Sequence, residues 1–438
     1  MDNKNFKLTT SKVFLIIFLF FLPLFIIILN GHLESYLKSF LIGSIFCLCF
    51  RFPFLLFTSG YLWASTISIL IANFHISISS EPYIVNLVGA GGDDRAFESS
   101  ALNPNTDKFI TPYAQLLNFL SKPLSGIFEN SFYSLLSINC LFHSLGAAAI
   151  FKIVRNLNYG NLAERFSYFS YLFFPLLAID GLTLMRDGVI SALTAILISA
   201  IIEKNFLFSF QSIVSFLSLS FLRLGSGLLF ILTSLITWLV TLRKIRLNIK
   251  VLILIILCFL ALIIFSDQII EYLLYKNMFT NFFIRITMVE AISEKISDAN
   301  IIKLFLLPIG IKQFALFLYF LFAPFGSPLE LFKGDSYAFF ASLFSIWNIF
   351  SIKLCFQDFF YQINNHKILN NRSYFRILIF FLVSVFIIAN YSIQLRHKSF
   401  VIPIQIILTA HSMKRHKVFD YSLSWLLTLP YLSLLIIG

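Results

Sequence analysis

Long apolar runs broken by short polar turns recur along the chain from residue 13 almost to its end. The clearest cover 13–30, 54–74, 132–151, 166–184, 206–222, 225–242, 251–266, 304–325, 337–356, 375–393 and 421–437. Their lengths approach the roughly 17–25 residues that a helix needs to cross a bilayer core. Shorter runs at 39–50, 188–202 and 400–411 are candidates for further crossings. The pattern predicts an all-α fold, a polytopic transmembrane helical bundle of about eleven to fourteen spans, built as a single integral membrane domain over residues 1–438. Two stretches depart from it. Residues 75–130 and 267–303 are amphipathic and more polar, and they read as external segments lying on the membrane surface.

Composition supports this class: 58% of residues are hydrophobic and 12% charged, about half the charged fraction of a soluble domain. The 55 phenylalanines carry no functional message, because an AT-rich genome favours Phe, Ile, Leu, Asn and Lys in any protein. Cys47, Cys49, Cys140, Cys258 and Cys355 lie in or beside apolar runs with no metal-ligand spacing and read as small core residues. The first apolar run follows "MDNKNFKLTTSK" without a small-residue cleavage site, so a retained signal anchor is expected.

Positive charge orients the chain. Lys and Arg concentrate at Lys4, Lys7 and Lys12, from Lys152 to Arg165, in "RKIRLNIK" at 243–250, from Lys367 to Arg376, and in "MKRHK" at 413–417. These loops are expected in the cytoplasm, with 75–130 and 267–303 on the opposite face of a bacterial inner membrane. The formal net charge of +12 follows largely from this topology and calls for no nucleic-acid partner. Three apparent spans between Lys250 and Lys367 are one crossing too many. One of 304–325 or 337–356 is therefore expected to re-enter or lie along the interface, with Pro324, Gly326 and Pro328 in "APFGSPLELFKG" as the break. The sequence has no Walker A motif, no Gly-rich dinucleotide fingerprint and no evident internal repeat, so neither an ATPase nor a dinucleotide-binding unit is expected.

Against this apolar background, "VGAGGDDRAFESS" at 88–100 stands apart. Gly89, Gly91 and Gly92 permit a sharp turn, and "DDRAFESSALN" reads as a helix start whose acidic first turn suits the helix dipole. The amphipathic "NPNTDKFITPYAQLLNFLSKPLSG" at 103–126 continues it, with Pro104, Pro112, Tyr113, Lys122 and Pro123. The arrangement resembles the GT-C superfamily of membrane glycosyltransferases, which use lipid-linked sugar donors. In that family an acidic residue or pair in the first large external loop, often followed by Arg and an aromatic, sits beside the donor phosphate. Asp93, Asp94, Arg95 and Phe97 match this pattern here, with Lys122 and Pro123 as a looser echo.

Arginines at outward turns form a second set. Arg186 and Asp187 lie in "GLTLMRDGVI", Arg223 in "LSFLRLGSGLL", and Arg396, His397 and Lys398 in "NYSIQLRHKSFVIP". An ionisable group at membrane depth costs roughly 2.5–3.5 kcal/mol, so a repeated exception to the positive-inside bias points to function. Arg grips diphosphate oxygens through a planar fork. The plain structural roles are an Arg186–Asp187 pair and snorkelling of the others to headgroups. Pro175, Arg186, Asp187, Arg223, Asn390, Arg396 and Pro403 together resemble the bacterial O-antigen or capsule repeat-unit polymerases.

That resemblance implies transfer of an undecaprenyl-diphosphate-linked glycan onto a second lipid-linked repeat unit. Asp93 or Asp94 would serve as base, Arg186, Arg223 and Arg396 would stabilise the leaving diphosphate, and His397 is a further catalytic candidate. Arg95, Lys122, Asp187 and Lys398 would bind substrate. The implied partners are lipid-linked glycans, bilayer lipids and a chain-length regulator. No cofactor is implied, and a divalent metal at the aspartate pair finds no further ligand. Other readings are a GT-C-like transferase adding a single sugar, a lipid-linked oligosaccharide flippase, which would show central charges and internal repeats, and a membrane acyltransferase, which would need an embedded His with a nearby acid or an Arg-rich cytoplasmic motif. In 267–303, Glu290, Glu294 and Asp298 share one helical face, and a solvated surface is expected there. His75, His143 and His411 have no partner at helical spacing and read as incidental.

Overall fold

The computed structural model describes residues 17–83, 93–103, 111–122, 131–202, 210–241, 311–322, 336–364, 372–391 and 395–413. Within them the chain is all-α, with fifteen α-helices. After a π-helical turn at Ile17–Phe21 come α1 (Leu22–Leu29), α2 (Leu33–Cys49) and α3 (Phe54–Ser79). The polar stretch forms α4 (Asp93–Leu102) and α5 (Pro112–Ser121). The central group is α6 (Phe132–Asn156), α7 (Asn161–Leu172), α8 (Pro175–Gly181) and α9 (Arg186–Ile202). There follow α10 (Phe210–Leu222), α11 (Leu224–Thr241), α12 (Ile311–Phe322), α13 (Ser336–Asn364), α14 (Arg372–Tyr391), a 3-10 segment (Leu395–Phe400) and α15 (Ile402–Met413). The expected spans 251–266 and 421–437, and the segment 267–303 with Glu290, Glu294 and Asp298, lie outside the described residues.

Among the described residues, Phe54–Ser77 and Phe132–Asn156 are long and apolar enough to cross a membrane, and the bent pair α8–α9 makes a third if taken as one span. Several shorter apolar helices accompany them. Helix α6 is the hub, buried at every residue from Ser134 to Ile150. Helices α2, α3, α7 and α9 pack around it. In an apolar solvent, packing and interhelical hydrogen bonds select neighbours, and both operate here. Ser39 bonds Ser137 at 2.6 Å and Tyr36 bonds Ser68 at 2.7 Å, joining α2 to α6 and to α3. Outward residues such as Ile45, Leu48, Leu55, Phe210 and Phe360 are exposed hydrophobics, as a lipid-facing surface requires. Cys47 and Cys140 are buried as expected; Cys49 is exposed.

The single helix expected over 166–184 is instead two. Phe174 adopts an extended conformation (ψ 121°), as the residue before a proline prefers, and Pro175 then starts α8 at its first position. A second break follows at Leu182–Met185, where α8 and α9 meet at 112°. Gly188 makes that bend feasible: a Cβ there would lie 2.3 Å from the Gly181 Cα and 2.5 Å from the Asp180 carbonyl.

Helices α13 and α15 meet along a polar seam. Asn348, Ser351, Cys355, Asp358 and Gln362 recur at alternating steps of three and four on α13, and Gln405, Thr409 and Ser412 do so on α15, the spacing that keeps one face of a helix against its partner. Gln405 Nε2 donates to Asn348 Oδ1 (2.9 Å) and Ser351 Oγ (3.2 Å), Ser351 and Thr409 share a hydroxyl bond of 2.5 Å, and Ser412 Oγ donates to the Leu354 carbonyl (2.9 Å).

Candidate functional site

The acidic stretch is helical, as its pattern predicts: Asp93 is the first residue of α4. The Asp93 and Arg396 side chains lie outside the described atoms. Asp94 is buried, at 1% exposure, whereas Arg95 turns outward, pairs with Glu81 at 3.3 Å and covers the Tyr83 ring. Tyr83 donates to Glu98, and burial together with that carboxylate holds its hydroxyl well above the ordinary tyrosine range. These contacts tie the end of α3 to α4. Asn118 Nδ2 of α5 donates to the Ala101 carbonyl of α4 (2.6 Å), and Phe97 packs edge-on against Tyr113 at 4.7 Å. Thr111 caps α5 by accepting from the Ala114 N–H. Lys122 is exposed at the C-terminal end of α5.

Tyr113 anchors this pair of helices to the hub. Its hydroxyl donates to Asn139 Oδ1 on α6 (2.7 Å), and Asn139 Nδ2 donates to the Thr183 (2.6 Å) and Met185 (3.0 Å) carbonyls in the break between α8 and α9. One buried amide thus joins the α4–α5 pair, the hub and the broken helix. Arg186 and Asp187 open α9 directly after that break. Burial keeps the Tyr113 hydroxyl far above the usual range; the Asn139 bond and the Arg186 charge oppose this, while Asp187 and Asp94 reinforce it. Asp94, Arg186 and Asp187 therefore share one electrostatic neighbourhood around Tyr113.

Arg223, in the turn between α10 and α11, completes the cluster. Its Nη1 donates to Asp187 Oδ1 at 3.0 Å, with Asp187 almost fully buried and Arg223 partly exposed. The Asp187–Arg223 pair crosses from one helix junction to another. From the far side the 3-10 segment packs on α8 and α9. Ser399 Oγ donates to Asp180 Oδ2 of α8 (3.0 Å). Lys398 is buried, its ammonium facing the Phe320 and Phe344 rings at 5.1 and 5.4 Å and the Leu321 carbonyl at 3.4 Å. His397 is half-buried.

The structure thus brings Arg186, Asp187 and Arg223 together at one helix break, puts Asp94 on the helix pair that Tyr113 anchors there, and leaves Arg95 and Lys122 on the surface. Tyr113 as an anchor, Asn139 and Asp180 were not singled out by sequence. Asn139 carried a readable signal, since an amide inside an apolar run needs partners. Among the described residues no three His, Cys, Asp or Glu side chains converge to hold a metal. A guanidinium oriented by a buried carboxylate, with a second arginine next to it in the chain, can stabilise an anion, and a buried carboxylate such as Asp94 can accept a proton. The sequence matches no protein-family model, no curated protein and no solved structure.

Proposed function

We propose that this chain is a multi-pass inner-membrane glycosyltransferase of GT-C-like architecture, with about eleven to fourteen spans, that polymerises undecaprenyl-diphosphate-linked repeat units on the periplasmic face. Arg186 and the Asp187–Arg223 pair at the α8–α9 break, with Asp94 buried on the helix pair that Tyr113 ties to that break, carry the reading. Asp94, or Asp93 beside it, takes the proton of the acceptor hydroxyl as that oxygen attacks the anomeric carbon of the growing glycan. The diphosphate departs, and Arg186, Arg223 and Arg396 stabilise its charge. Asp187 fixes the Arg223 fork; Arg95 and Lys122, on the surface, meet the substrate from the water side. His397 and Lys398 belong to the segment that packs on the break.

A flippase is the second reading, favoured by the polar seam buried between α13 and α15. Deleting the gene separates the two. Loss of a polymerase leaves lipid A core capped with one repeat unit, because assembly, flipping and ligation continue. Loss of a flippase or an early transferase leaves bare core. Single-repeat caps, with long chains restored by the gene, are expected; bare core would reject the polymerase.

A further inference from the structure

Asn139, His143 and Gly146 fall on one face of α6, at i, i+4 and i+7, and each meets the broken helix. Asn139 serves the carbonyls of the α8–α9 break. One turn further along α6, His143 serves the earlier break, the one before Pro175. Its Nε2 lies 3.0 Å from the carbonyl of Leu172, the last residue of α7. A carbonyl oxygen only accepts, so Nε2 carries the hydrogen. The ring is buried, and its Nδ1 meets no hydrogen-bond partner among the described residues. That nitrogen lies against Gly181 of α8, where a Cβ would come 2.6 Å from it. At Gly146 a Cβ would come 2.5 Å from the Tyr171 hydroxyl, which donates to Ser191 Oγ of α9 at 3.2 Å.

A polar side chain at position 143 has a specific use. In an unbroken helix the Leu172 carbonyl would accept from the amide four residues on, that of Leu176. With Phe174 extended and Pro175 opening α8, that register is lost. The carbonyl would then stand unpaired inside the bundle, where no water replaces the missing donor. His143 supplies one. Two arrangements of residues 161–181 therefore compete: the broken pair α7–α8, and a single helix kinked at Pro175 that regains the Leu176 bond. A donor at position 143 favours the first, and an apolar side chain there favours the second.

We propose that His143 is a positioning residue for the reaction centre: its Nε2–H holds the chain in the broken arrangement, which sets the direction of α8 and so the place of Arg186 and Asp187. It acts through the helix and not on the substrate. A continuous kinked helix would carry Gly181 away from Gly188, the close approach on which the 112° bend depends. Asp187 would then part from Arg223. The placement of α8 and α9 by His143 does not rest on the glycan reading, whereas its consequence for catalysis does.

The test replaces His143 by Gln, Asn and Leu in the full-length protein. A Gln amide nitrogen can take the position of imidazole Nε2, an Asn nitrogen only that of Nδ1, and Leu has no donor. In lipid nanodiscs with no glycan present, amide hydrogen exchange over 182–190 should match wild type in His143→Gln. It should rise by about tenfold or more in His143→Asn and His143→Leu, for one buried acceptor left unpaired, while exchange over 54–79 stays unchanged. In cells at matched membrane abundance, His143→Gln should keep wild-type chain lengths and the other two variants should lose long chains. Wild-type exchange over 182–190 in His143→Leu, or a rise shared equally with 54–79, overturns the placement. Raised exchange with wild-type chain lengths overturns the role in the reaction. Bare core in the deletion strain rejects the polymerase reading alone, and the exchange comparison still decides the placement. If the variants misfold, solid-state NMR of wild-type protein labelled with 15N-histidine and 13C-carbonyl leucine decides: one ring must be protonated at Nε2 and in hydrogen-bond contact with a leucine carbonyl. A spectrum without that contact overturns the proposal.

Discussion

At the residue scale the candidate chemistry depends on Asp94 and on the buried amide of Asn139. Asp94→Asn keeps size and most hydrogen bonding but removes proton affinity, so polymer formation should fall by about 10²–10⁴ if Asp94 is the base. Chain-length analysis at matched membrane abundance reads this directly, and wild-type chains from the Asp93→Asn, Asp94→Asn and double variants would end the assignment. Asn139→Leu strips partners from the Tyr113 hydroxyl and from the Thr183 and Met185 carbonyls, at about 1–3 kcal/mol for each group left unpaired. Tyr113→Phe leaves only Asn139 Oδ1 unsatisfied. Thermal unfolding in detergent should therefore show Asn139→Leu well below Tyr113→Phe. Equal losses would mean that the contacts to the helix break contribute nothing.

At the scale of elements, the bend between α8 and α9 gives Arg186 and Asp187 their place, and it exists only because two glycines touch. Gly188→Ala would drive a Cβ against the backbone of Asp180 and Gly181, which no rotamer change relieves. Overpacking of this kind costs about 1–3 kcal/mol or more; the bend should open, separating Asp187 from Arg223 and abolishing polymer. Gly225→Ala is the matched control, since a Cβ there meets nothing within 4 Å. A functional Gly188→Ala protein would show that the bend is dispensable. Sequence indicated a turn at 182–186 but not the break before Pro175, because an unbroken apolar run masks a helix end that only a proline and one extended residue create.

At the scale of the whole molecule, the arginines and aspartates can act together only if their turns share one face of the membrane. A phosphatase or cysteine-label reporter at residue 94 or 105 should report the external side, and one at 158, 247 or 415 the cytoplasm. A cytoplasmic signal at 94 would place the acidic pair on the wrong side for a periplasmic reaction.

Sequence alone determined the all-helical class, the apolar runs long enough to cross a bilayer, and the helical nature of the acidic stretch. These follow from composition and from periodicity along a single segment, which the local chain carries in full. It also marked Asp94, Arg186, Asp187 and Arg223 as exceptions to their surroundings, since a charge is conspicuous in any apolar run. Which of them meet was decided only by tertiary structure: Asp187 pairs with Arg223 across two helix junctions, and Asn139 gathers Tyr113 and the α8–α9 break into one site. The same holds for His411, incidental by spacing within its own helix and buried against Asp358 in the fold. Single cross-helix partners such as Asp187 with Arg223 or Tyr113 with Asn139 leave no trace of one another in their own segments, because the energy that joins them is the avoided cost of an unpaired polar group inside the packed bundle, and that cost arises only when the helices come together.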